Sequence, residues 1–249
     1  YYISLLEGLE LKVYCLSTKN NLKLGDCMYD LCIKNGLVYQ KGVLNKTNIY
    51  IRNGEIGLFC RELLESEEVY DADNNLVLPG LIDPHVHFDL DLGFITSKDD
   101  FYHGSKIAAL GGVTTIIDFL DPVDNSVDLE QSLHKRLEEA KTCMVDFKFH
   151  ATIKNPKSEI GNIVDKMKEI GLDSIKLFTT YSDSLRRTYD SEIKELLELS
   201  DTEDILVLAH IENDELIRIN EDMSYKDLLI SRPTISETSE TLKLANLVR

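Results

Sequence analysis

Thr114-Thr115-Ile116-Ile117-Asp118-Phe119 is a nearly continuous run of apolar and β-branched residues. Such a run suits a strand buried on both faces of a sheet rather than one with a wet side. Similar runs begin near Leu81, Val145, Ser174 and Ile205, for instance Ile205-Leu206-Val207-Leu208-Ala209. They recur about every 30 residues, the length of a strand, a helix and their connections. Helical stretches fill the intervals: Asp100 to Leu110, Asp128 to Lys141, Pro156 to Ile170 and Asp190 to Leu199. Strand and helix in alternation predict an α/β fold with a parallel sheet, open or closed into a barrel. An open doubly wound sheet would want a Gly-rich phosphate loop after its first strand. None follows Leu81.

Upstream, residues 29 to 78 read as short strands with turn punctuation. Leu31-Cys32-Ile33-Lys34 breaks at Asn35-Gly36, and Asn48-Ile49-Tyr50-Ile51-Arg52 breaks at Asn53-Gly54. Asn-Gly favours the positive-φ turns of tight hairpins, so a small antiparallel sheet is expected here.

The chain has 249 residues, 27 of them Lys or Arg and 44 Asp or Glu, for a net charge of −17. That surface repels nucleic acid and anionic membrane, and neither is expected as a partner. Hydrophobic residues make up 43%, enough for a real core. No run of about 18 apolar residues exists to span a bilayer. Glu7, Glu10 and Lys12 interrupt the apolar start, which argues against a signal peptide. The five cysteines are scattered and never form a C-x-x-C pair. A cytoplasmic, reducing location is the expectation they support.

Three features carry chemistry. His85 and His87, in Pro79-Gly80-Leu81-Ile82-Asp83-Pro84-His85-Val86-His87, stand two apart at a strand's C-terminal end. Period-two geometry would put both imidazoles on one face, able to chelate one ion, although His-x-His also occurs by chance. Lys176 lies inside the apolar strand Ser174-Ile175-Lys176-Leu177-Phe178. A buried lysine must be neutralised, paired or chemically modified; the plainer alternative is one that snorkels to solvent. His210 ends the strand that begins at Ile205, as a ligand or as a packed structural residue. All three fall at the same rim, on strands one, four and five, where barrel enzymes build their sites.

Here the chain resembles a known family. Leu78-Pro79-Gly80-Leu81-Ile82-Asp83-Pro84-His85-Val86-His87-Phe88 is similar to the first metal motif of the amidohydrolase superfamily. Asp99-Asp100-Phe101-Tyr102-His103-Gly104, Gly111 to Phe119, Ser174 to Phe178 with Tyr181, Ala209-His210-Ile211-Glu212-Asn213 and Ser231-Arg232-Pro233 resemble its hydantoinase and dihydropyrimidinase branch of cyclic amidases. The resemblance runs from about Met28 to Arg249. It implies a TIM-like (β/α)8 barrel over residues 79–249, incomplete with about five βα units, preceded by a small β-sandwich-like domain over 28–78.

The resemblance also implies roles. His85 and His87 would bind the first of two divalent ions, most often zinc. Lys176, carboxylated by CO2, would bridge both ions, and His210 would bind the second. A hydroxide between the ions would attack the ring amide. Tyr181 would donate its phenol to the oxyanion. The implied substrate is a small cyclic ureide or imide, such as a hydantoin or dihydropyrimidine, and the implied assembly is a homotetramer or homodimer. Allantoinase, a dihydroorotase-like enzyme and a non-catalytic dihydropyrimidinase-related scaffold are the alternatives. Dihydroorotases typically carry an arginine just after His-x-His, whereas Phe88-Asp89-Leu90-Asp91 follows here. The scaffold relatives have lost the metal histidines, which stand here.

The family's sixth-strand histidine and its aspartate after the eighth strand are not placed before Arg249. A complete barrel takes ~250 residues, so the chain alone is expected to be inactive. Residues 1–27 lie outside the resemblance and are expected to be foreign to the natural enzyme. His150, at the end of the third strand, is expected to pack, with a supporting role at the site as the alternative. His103 and His134 are expected on solvated helix faces, and Asp99-Asp100 to begin a helix.

Overall fold

The computed structural model describes residues 2–7, 10–15, 29–220 and 222–248. Strands β1 (Tyr2–Glu7) and β2 (Glu10–Cys15) pair antiparallel. The remainder of the segment expected to be foreign, with Leu24-Gly25-Asp26-Cys27, lies outside the described residues. The chain divides into two compact units, residues 1–116 with 142–147, and residues 117–141 with 148–249.

In the first unit a five-stranded sheet is built from β3 (Tyr29–Gln40), β4 (Val43–Arg52), β5 (Glu55–Cys60), β6 (Ser66–Asp71) and β7 (Leu76–Val77). The expectation of a purely antiparallel sheet is corrected: β3 pairs β4 antiparallel but β6 and β7 parallel. Leu31, Ile33, Val38, Ile49, Ile51, Ala72 and Val77 form its core. Asn53-Gly54 makes the expected hairpin turn, with φ of 51° and 74°. Asn35-Gly36 does not. The β3–β4 turn is at Lys41-Gly42, φ 48° and 85°, while Asn35 (φ 59°) forms a β-bulge within β3. Its N–H donates to Asn48 Oδ1 at 2.9 Å, and its Nδ2 donates to Asp71 Oδ1 at 2.9 Å. Turn and bulge both place an Asn at positive φ, which Asn tolerates.

The first unit continues into β8 (Leu81–Asp83), α1 (Phe101–Leu110) and the start of β9 (Val113–Phe119). β8 pairs parallel with β9. Asp100 caps α1 by accepting from His103 N at 2.7 Å, as an acidic N-cap should. Gly80 and Gly104 permit two close approaches. A Cβ on Gly80 would meet Thr114, and one on Gly104 would meet the Phe88 ring. Phe88 stacks edge-on against Phe101, with ring centroids 5.7 Å apart.

The second unit holds four parallel strands in the order β9, β10 (Asp146–Thr152), β11 (Ser174–Phe178) and β12 (Leu206–His210). Between them lie α2 (Ser126–Glu139), α3 (Ile160–Glu169) and α4 (Asp190–Glu203); α5 (Leu228–Ser231) and α6 (Thr234–Leu247) follow β12. This is the alternation expected of a TIM-like barrel, α/β with parallel strands, and each expected helix is present within a few residues. β11 is buried from Ser174 to Leu177, as a strand covered on both faces must be. Arg136 on α2 reaches Asp118 on β9, Nη2 to Oδ2 3.0 Å, with both side chains almost wholly buried. Such a pair tolerates loss of neither partner. Cys32, Cys60 and Cys143 are free thiols. Among the described residues no helix is long and apolar enough to cross a membrane.

Candidate metal centre

In the first unit His85 and His87 lie just beyond β8 rather than on it, which corrects the strand placement. Asp83 Oδ1 accepts from His85 N at 3.1 Å and turns the chain there. The imidazoles still come together, with centroids 5.2 Å apart and rings perpendicular. Both are exposed. Phe88, wedged over Gly104 of α1, anchors the next residue.

In the second unit the register places Lys176 opposite Thr152 and Leu208, and Phe178 opposite His210. By strand alternation Ser174, Lys176 and Phe178 share a face with His210. Lys176 is only 8% exposed. Its ammonium stands 5.9 Å from the Phe119 ring centre and 5.6 Å from that of Phe178. Among the described residues no carboxylate lies within ion-pair reach of it. Burial lowers its pKa from the ordinary lysine value, because the charged form is poorly solvated. The snorkelling alternative does not hold. His150 packs as expected: it is 2% exposed, rests 4.8 Å from the Phe119 ring, and its Nδ1 lies 2.7 Å from Ser174 Oγ.

His210 is partly buried, and its Nε2 lies 2.8 Å from Glu212 Oε2 and 3.3 Å from the Tyr181 hydroxyl. Glu212 also pairs with Arg232, whose guanidinium sits 5.0 Å over the Tyr181 ring. Tyr181 has left-handed backbone, φ 68° and ψ 42°. Burial pushes its phenol pKa up, so at neutral pH it is a hydrogen-bond donor.

The donor chemistry fits divalent ions. Imidazoles at 85, 87 and 210 suit zinc, and a buried lysine with a depressed pKa exposes the neutral amine that CO2 attacks. Among the described residues, no group of three or more His, Cys, Asp or Glu gathers to hold an ion by itself. Sequence reading missed the supporting parts played by Glu212, Arg232 and Asp214. The available signals were a carboxylate two residues past a strand-end histidine and an arginine held before Pro233.

Residues 76–227 match the sequence model of the amidohydrolase family. The chain belongs to that family. The D-phenylhydantoinase of Escherichia coli O1:K1 is 35% identical over 189 residues, covering 74% of this chain and 40% of that protein. A D-hydantoinase crystal structure superposes with a TM-score of 0.76 at 28% identity, over 89% of this chain and 50% of the other. The D-hydantoinase (dihydropyrimidinase) of a Thermus species gives 0.73 at 29%, over 88% and 49%. The chain thus spans between two fifths and half of the length of these amidohydrolase relatives.

Proposed function

We propose that this chain carries part of the active site of a metal-dependent cyclic amidase, which opens the ring of a hydantoin or dihydropyrimidine. The observation that supports this most is Lys176: buried, bracketed by Phe119 and Phe178, and without a carboxylate partner among the described residues. On this reading the neutral Lys176 amine attacks CO2. An N–C bond forms, the nitrogen loses a proton, and the product is a carbamate anion, an oxygen donor that would suit divalent cations. His85 and His87 would hold one ion and His210 the other. When bound, two zinc-like ions lower the pKa of water and polarise the amide carbonyl. The chain's own part is to orient and shield. Phe119 and Phe178 keep water from the lysine, Glu212 holds the His210 ring, and Tyr181 donates its phenol as the carbonyl oxygen becomes anionic. The substrate is a small cyclic ureide, in line with the hydantoinase names of the relatives, and the proposed assembly is a homodimer or homotetramer in the cytoplasm.

The test is metal analysis of the natural protein together with ring-opening assays on hydantoin, dihydrouracil, dihydroorotate and allantoin. Two ions per chain and turnover of hydantoin or dihydrouracil are expected. A metal-free protein inert on all four would overturn the reading in favour of a scaffold.

A further inference from the structure

The loop after β11 carries Tyr181 in a backbone conformation that a bulky residue seldom adopts. Such a conformation persists only where its surroundings over-determine it. The surroundings here converge on one carboxylate. Asp214 Oδ1 accepts from Thr180 Oγ1 at 2.9 Å and from Ser182 N at 3.4 Å; its Oδ2 accepts from Ser182 Oγ at 2.5 Å and from Arg187 Nη1 at 3.3 Å. The residues immediately before and after Tyr181 are therefore both tied to the same group. The carboxyl is held below the ordinary aspartate range by these donors, against the opposing effect of its burial.

The anchor is itself fixed. Asp214 opens a short 3-10 turn after β12, capped by Asn213, whose Oδ1 accepts from Glu215 N at 3.1 Å. Asn213 N donates to Ser236 O on α6 at 2.9 Å, and Glu212 N donates to Thr179 Oγ1 at 2.9 Å. The loop after β12 thus grips the loop after β11 at Thr179, Thr180 and Ser182. Between these grips the Tyr181 hydroxyl arrives 3.3 Å from His210 Nε2.

We propose that Asp214 is the positioning residue for Tyr181, clamping Thr180 and Ser182 so that the left-handed backbone between them aims the phenol. The catalytic half of the statement rests on the reading of Tyr181 as oxyanion donor. The clamp itself does not.

The experiment uses the natural protein and four variants: Asp214→Asn, Ser182→Ala, Tyr181→Phe and the Asp214→Asn/Tyr181→Phe double. The first readout is amide hydrogen exchange at Ser184, Leu185 and Arg186, whose N–H groups bond back to Tyr181 and Ser182 carbonyls. Asp214→Asn should speed exchange there by about 10-fold and Ser182→Ala by less, with Tyr181→Phe unchanged. Unchanged protection in a folded Asp214→Asn protein overturns the proposal. The second readout is kcat and KM with hydantoin and dihydrouracil. Asp214→Asn should lower kcat by about 10-fold with little change in KM, and should add nothing to the loss in Tyr181→Phe. Full additivity of the two losses overturns the coupling, because general destabilisation would add. A Tyr181→Phe protein with wild-type kcat removes the donor reading instead, and leaves the exchange result to decide the clamp.

Discussion

Glu212 Oε2 lies 2.8 Å from His210 Nε2, so one face of that imidazole is already committed to a carboxylate. A carboxylate partner makes Nε2 the protonated nitrogen and leaves the lone pair on Nδ1. Nδ1 is then the atom that would meet an ion. Replacing Glu212 by Ala should weaken zinc binding at His210 by about 10–100-fold, while Glu212→Gln, still an acceptor, should keep most of it. Chelator-buffered zinc titration of the natural protein is the measurement. Equal affinity in Glu212→Ala would show that this tautomer does not matter.

The proposed carboxylation of Lys176 would carry the opposite requirement, since the amine would have to lose its proton before taking up CO2. Lys176→Ala should lose bound metal and ring opening, with short carboxylic acids restoring part of both. Lys176→Arg should fail equally, because a guanidinium stays protonated. Metal counts by mass spectrometry decide the matter: two ions retained in either variant would end the assignment.

Gly80 tests the packing beneath the histidine pair. A Cβ there would stand 2.0 Å from Thr114 Oγ1 and 2.7 Å from Thr114 Cβ. Gly80→Ala should cost about 1–3 kcal/mol from overpacking, seen as a lower denaturant midpoint. Adding Thr114→Ala removes Oγ1 and Cγ2 but not Cβ, and should recover part of the loss. The Thr114 hydroxyl has no hydrogen-bond partner among the described residues, so its removal breaks no bond.

Asp71 supplies the pH dependence. Donation from Asn35, then from Asp73 N and Lys34, holds its carboxyl at about 2. A depressed folded pKa means that the stabilisation is complete above the ordinary aspartate value and fades as pH falls towards 2. The stability difference between wild type and Asp71→Asn should therefore be constant at neutral pH and shrink below about pH 4. Carboxyl chemical shifts in an NMR titration give the midpoint directly. A value near 4 would dismiss the network.

The βα rhythm was legible because parallel strands buried on both faces must be apolar throughout, as Thr114 to Phe119 and Ile205 to Ala209 are. Lys176 stood out for the same reason, as the one charge within its strand. What local reading misjudged was the use to which Asn35 is put: Asn-Gly serves a hairpin at Asn53 and a bulge at Asn35, and only the partner Asn48 tells them apart. Glu212 was visible beside His210. Its second partner, Arg232, and the reach of Asp214 back to Thr180 and Ser182 depend on how the loops after β11 and β12 meet, which no periodicity encodes.

The bulge at Asn35 has a genetic consequence. Before it, the odd positions Leu31 and Ile33 point into the core; after it, the even position Val38 does. Its additional residue acts as a parity switch in the reading of inside and outside along β3. Loss of the single codon for Asn35 would leave an unbroken strand in which Leu31, Ile33 and Val38 still share one face, whereas straightening the bulge with Asn35 kept would turn Val38 out to solvent and Leu37 in. In-frame deletions are usually judged by whether they fall in a loop or a strand. Here a mid-strand deletion would keep the inside inside, and it is the positive φ held at Asn35 that decides the face of everything after it.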